Sequence, residues 1–97
     1  MNIGACKVRF RLPDKHSLKD KRRVVKSITS RVRSKYNVSV AEVEDQDLWQ
    51  TMTLGISCVS NHSHHANEVL SKVVDFIRST RPEAEMMDYE TEILPAL

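Results

Sequence analysis

Five cations in the stretch HSLKDKRRVVKSITSRVRSKY, residues 16–36, carry the clearest chemistry in the chain: Lys19, Arg22, Arg23, Lys26 and Arg33. On an α-helix, at 100° per residue, they fall within roughly a third of the circumference, as a stripe about 20 Å long. Lys15 and Lys21 lie near its start. A cation close to a helix N-terminus opposes the macrodipole, at a cost of about 0.3–1 kcal/mol each. Like charges three and four residues apart add a few tenths of a kcal/mol of repulsion per pair. An anion seated on the stripe removes both penalties, and helix N-termini already favour phosphate. The pattern therefore reads as a surface for RNA phosphates. The competing reading is a solvated helix face balanced by acids elsewhere.

Other groupings are weaker. Glu42, Glu44, Asp45 and Asp47 cluster near Trp49. Clustered carboxylates could hold Mg²⁺, but solvated turn acids are far commoner. Glu44, Asp47 and Trp49 are also candidates for contact with a protein partner, since an indole packs either against its own fold or against a partner. We expect Trp49 to anchor its turn to the body of the protein. His62, His64 and His65 lie close together, and His64 and Glu68 have the spacing of two ligands on one helix face. With no cysteine or third helical ligand near, no metal is expected there, and His62 and Ser63 read as capping residues. No Walker loop, dinucleotide fingerprint, nucleophile elbow or metalloprotease helix is present. The expectation is a non-enzymatic protein without a cofactor.

The elements that position these residues follow from periodicity. Residues 3–12 alternate, with Cys6, Val8, Phe10 and Leu12 on one side and Lys7, Arg9 and Arg11 on the other. That is a half-buried strand. Ser17 followed by Asp20 forms a capping-box pattern. Leu18, Val25, Ile28, Val32 and Tyr36, with Val24 beside them, recur at helical spacing. Asn37 is placed to end that helix in the left-handed conformation. VSVAEVE is a short strand, and QTMTLGISCV alternates again with Met52, Leu54, Ile56 and Cys58 on one side. Gly55 within it marks a bulge. A second helix buries Ala66, Val69, Leu70, Val73, Val74 and Ile77 and stops at Pro82. The last strand, EMMDYETEIL, sets Met87, Tyr89, Thr91 and Ile93 against Asp88, Glu90 and Glu92.

The order β-α-β-β-α-β, with right-handed crossovers, predicts one α+β ferredoxin-like domain over residues 1–97. Its sheet is antiparallel with strand order 4-1-3-2, and both helices, near 17–36 and 62–80, cover one face. On the opposite face Lys7, Arg9 and Arg11 should pair with Asp88, Glu90 and Glu92 of the neighbouring last strand. That face has no outward aromatics on strands 1 and 3, which excludes the base-stacking mode of RNA-recognition motifs. The open face and the edge strand 38–44 both offer contacts for a homodimer, the alternative being a homo-oligomeric interaction module.

The formal net charge of +2 conceals a division. Residues 1–36 hold twelve Lys and Arg against Asp14 and Asp20, or +10; residues 37–97 hold three against eleven acids, or −8. Such asymmetry points to an anionic partner for the first half or to neutralisation between the halves. No apolar run suits a membrane span, and no signal peptide is visible. Two cysteines make neither a disulfide network nor a zinc site, so a reducing cytoplasm is expected. The topology brings Cys6 and Cys58 together as reduced core thiols.

HSLKDKRRVVKS, NVSVAEVEDQDLWQ and LGISCVSN, in that order, resemble the YlxP-like family of small bacterial proteins, a domain of unknown function. The resemblance runs through nearly the whole chain. It implies a bacterial, cytoplasmic, ferredoxin-like protein with no assigned catalytic residues. The family's genomic company of translation and ribosome-maturation factors makes RNA or the ribosome the implied partner. The three histidines of NHSHHANEV depart from the family pattern.

Overall fold

The computed structural model describes all 97 residues. Its elements are β1 (Asn2–Arg11), α1 (Leu18–Lys35), β2 (Ser39–Glu44), β3 (Thr51–Ser60), α2 (Ser63–Thr80) and β4 (Glu85–Pro95). The sheet order is β2-β3-β1-β4, with every neighbouring pair antiparallel. This is the expected order read from the other end.

The alternating residues of β1 and β3, with Leu12 just past β1, build the floor of the core: Val8, Phe10, Leu12, Met52, Leu54 and Ile56 are buried beneath Val24, Ile28 and Val32 of α1 and Ala66, Leu70, Val73, Val74 and Ile77 of α2. Gly4 admits α2 to the sheet, because a Cβ there would lie 3.0 Å from Leu70 Cδ1 and 3.1 Å from Cys58 Sγ. Cys58 pairs with Gly4 and Cys6 with Ile56, so the two thiols are diagonal neighbours on one buried face. Burial pushes both thiols up from their ordinary pKa.

Four local expectations are corrected. The first helix does not end in a left-handed residue: Tyr36 is extended (φ −126°, ψ 145°) and Asn37 has no positive φ. Tyr36 packs edge-on against Phe76 of α2 at 5.6 Å, which carries the chain directly toward β2. Gly55 does not itself bulge. The irregularity lies opposite, where β2 skips Val43 between Glu42 and Glu44, and the Val43 side chain covers the space that a Cβ on Gly55 would need, 2.7 Å from Val43 Cγ1. In β4 a register shift opposite Arg9 and Phe10 sets Met86, not Met87, against Phe10. Met86 packs on the core and Met87 is 55% exposed. Finally, His62 is the N-cap of α2, but its side chain makes no capping hydrogen bond.

Candidate nucleic-acid interface

Helix α1 starts as its sequence dictates. Ser17 is extended and its hydroxyl accepts the Asp20 N–H at 3.1 Å. Val24, Ile28 and Val32 face the sheet and are buried, which fixes the rotation of the helix. Lys19, Arg22, Arg23 and Lys26 consequently stand exposed on the outer surface, and Lys15 is half-buried in the loop before the helix. None of these five has a carboxylate within ion-pairing distance.

Lys21 does not belong to this surface. It shares the buried arc of α1 with Val24 and Ile28 and is 0% exposed. Its ammonium enters the β2–β3 turn and donates to the carbonyl oxygens of Asp45 at 2.7 Å, Leu48 at 2.6 Å and Thr51 at 3.1 Å. Those three bonds use all its protons. Glu42 Oε2, 2.7 Å away, is therefore held by charge and has no hydrogen bond of its own. A buried ammonium needs such partners to offset the loss of hydration. The sequence signal was present in the spacing, since Lys21 precedes Val24, Ile28 and Val32 at helical intervals. Its acceptors, however, come from a turn whose shape the sequence leaves open.

Arg33 stands at the far end of the stripe, exposed, but its Nη2 donates to the Val40 carbonyl oxygen on β2 at 2.8 Å. It fastens α1 to the sheet and is only partly available to an anion. Lys35 lies over the Phe76 ring, 4.7 Å from its centroid.

The acidic hairpin is occupied from within. Besides Glu42, Glu44 accepts from Lys7 at 2.9 Å and lies 4.0 Å from Arg9. Asp45, at φ 58°, accepts the Thr53 hydroxyl at 3.3 Å. Trp49 is half-buried with its ring 6.2 Å from that of His16, which ties the turn to the entry of α1. Asp47 is exposed. His62 and His64 approach to 5.6 Å between ring centroids, and nowhere do three His, Cys, Asp or Glu side chains gather as a metal-binding group.

On the open face the expected cross-strand register holds for two pairs, Lys7 opposite Glu90 and Arg9 opposite Asp88. The ion pairs go elsewhere. The skip at Val43 sets Glu44 opposite Thr53, the residue that also faces Arg9, and Lys7 and Arg9 reach across β3 to it. Arg11 pairs with Glu85 at 3.3 Å. The hydrogen bond from Lys7 to Glu44 and the attraction between their charges, with a smaller pull from Glu90 on Lys7, raise the Lys7 pKa and lower that of Glu44. Asp88, Glu90 and Glu92 have no ion pair.

The division between the halves of the chain is thus only partly neutralised. Of the twelve cations in residues 1–36, Lys7, Arg9, Arg11 and Lys21 pair with acids of the second half, and eight do not.

Four antiparallel strands with two helices on one face define a ferredoxin-like α+β protein. A de novo designed protein with ferredoxin fold, known by solution NMR, superposes with a TM-score of 0.51 over 100% of this chain and 88% of its own, at 12% identity. Residues 3–91 match the family described as Protein of unknown function (DUF503). The chain belongs to that family. It is 40% identical over 90 residues to Uncharacterized protein YlxP of Bacillus subtilis (strain 168), covering 93% of this chain and 97% of that protein. No helix is long and apolar enough to cross a membrane.

Proposed function

We propose that this is a non-enzymatic cytoplasmic protein whose helix α1 binds structured RNA, ribosomal RNA being the first candidate, through backbone phosphates. The observation that carries the reading is the exposed stripe Lys19, Arg22, Arg23 and Lys26, unpaired, at the N-terminal half of a helix. Lys15 extends it. Lys21 is not in the binding set. Phosphate contacts supply affinity without reading sequence, which suits a surface of exposed, unpaired cations. Titration of labelled ribosomal RNA fragments tests it: the parent should bind, and Arg22, Arg23 and Lys26 replaced together by Gln should bind far more weakly with the fold intact. Equal binding by both, or no binding by either below about 100 μM at low salt, overturns it.

A second reading, a homo-oligomeric interaction module, is favoured by one observation. Ile3 pairs with Val59 and with Leu94 on the open face, and Val59 and Leu94 are 66% and 48% exposed. This apolar rung suits a second copy. Light scattering that gives a clean monomer at micromolar concentration removes it.

A further inference from the structure

The two edges of the sheet are treated differently. β2 is six residues long, and polar groups lie along it: Arg33 donates to the Val40 carbonyl oxygen, and the Gln46 amide approaches that of Glu42 at 3.5 Å. β4 is eleven residues long, and β1 is its only partner in the sheet. No side chain hydrogen-bonds to the backbone of residues 85–95; the terminal contacts of Met1 go to Ala96 and Leu97 beyond it. A long uncovered edge is a template for another strand.

The side chains of this edge select the strand. Asp88 and Glu90 lie opposite Arg9 and Lys7, and Glu92 lies opposite Ala5, so all three project from the open face. The two cations opposite them pair with Glu44 instead, and Lys7 meets Glu90 only through a weaker charge interaction. On the other face Tyr89 lies opposite the buried Val8, yet is 49% exposed at the margin of the helical layer. The edge therefore offers three unpaired carboxylates at alternate positions on one face and an aromatic ring on the other. A second copy of β4 would set carboxylates against carboxylates, which is destabilising. A strand alternating Lys or Arg with apolar residues meets both faces with the right partner.

We propose that the free edge of β4 is a docking site for an extended basic protein segment, which adds to the sheet as a fifth strand. Main-chain hydrogen bonds give the affinity, and Asp88, Glu90 and Glu92 select the charge. The site lies on a different element from the RNA-binding surface of α1 and does not depend on it.

The probe is a nonapeptide, acetylated and amidated, alternating lysine with valine and threonine. A counterpart with glutamate at each lysine is the control. Amide hydrogen exchange by NMR at low salt should show new protection in β4 with the lysine peptide and none with the glutamate peptide, while β2 amides stay unchanged. Asp88→Asn, Glu90→Gln and Glu92→Gln together should weaken binding about tenfold, consistent with three exposed charge contacts. These side chains are exposed and unpaired, so the fold should persist, which the parent-like exchange of β1 and β3 verifies. Protection absent from β4, equal response to both peptides, or undiminished binding by the triple variant overturns the proposal.

Discussion

Lys21 and Arg22 are neighbours in sequence and opposites in role. Lys21 is fully buried, with three carbonyl oxygens and a carboxylate around its ammonium. Arg22 is exposed, with no ion pair. A rotation of 100° along the helix separates a cation that builds the fold from one free to bind an anion. Positive charge counted along the chain cannot distinguish them; the helical phase set by Val24, Ile28 and Val32 does.

The comparison breaks most visibly at Lys21. Lys21→Ala should cost about 3–5 kcal/mol, because it strands a buried carboxylate and three carbonyl oxygens. Chemical denaturation should show a large fall in midpoint. The exposed triple variant Arg22, Arg23 and Lys26→Gln should stay within about 0.5 kcal/mol of the parent. A Lys21→Ala protein as stable as the parent would mean that the turn holds without its ammonium.

The turn that receives Lys21 is entered through the irregularity of β2, and that too can be perturbed. Gly55→Ala should cost about 1–3 kcal/mol by forcing a methyl group against Val43. Val43→Ala in the same chain should recover much of the loss, a coupling that a double-mutant cycle measures. Independent, additive costs would contradict the proposed contact.

Smaller effects sharpen the exposed side. Lys19 sits in the first turn of α1, so Lys19→Gln should raise stability by about 0.3–1 kcal/mol through the macrodipole while weakening RNA binding. Opposite signs for stability and binding are what a functional cation at a helix start should give.

Glu44→Gln should have the smallest effect, and its pH dependence carries the information. Lys7 holds the Glu44 carboxyl below its ordinary value near 4.5, so Glu44 contributes stability above that value and loses it as pH falls through the lowered one. The Lys7 pKa is raised above 10.5, so its contribution is present below that pH and fades as pH climbs through the raised value. Thermal melts should therefore separate parent and variant at neutral pH and converge in acid.

The fold was legible because its signals are local and repeated. Cys6, Val8, Phe10 and Leu12 alternate, as do Met52, Leu54, Ile56 and Cys58, and two amphipathic helices fall between strands. The exposure of Lys19, Arg22, Arg23 and Lys26 followed from the same helical phase. What escaped was non-local. The burial of Lys21 depends on carbonyl oxygens of a distant turn. The diversion of Lys7 and Arg9 to Glu44 depends on the skip at Val43, which brings Glu44 opposite Thr53. In β4, Met86 and Met87 are both apolar, so composition could not choose which faces the core, and a one-residue shift reverses the assignment. Tyr36 overrode the left-handed ending available at Asn37 because its ring found Phe76.

The proposed function requires α1 to present a set of phosphate-binding cations that excludes Lys21. The slope of log affinity against log salt for a ribosomal RNA fragment counts them. Four contacts from Lys19, Arg22, Arg23 and Lys26 predict a slope of about −2.8 to −3.6, and replacing Arg22, Arg23 and Lys26 by Gln should flatten it by about two to three units. A slope near zero in the parent, or an unchanged slope in the triple variant, would contradict the claim.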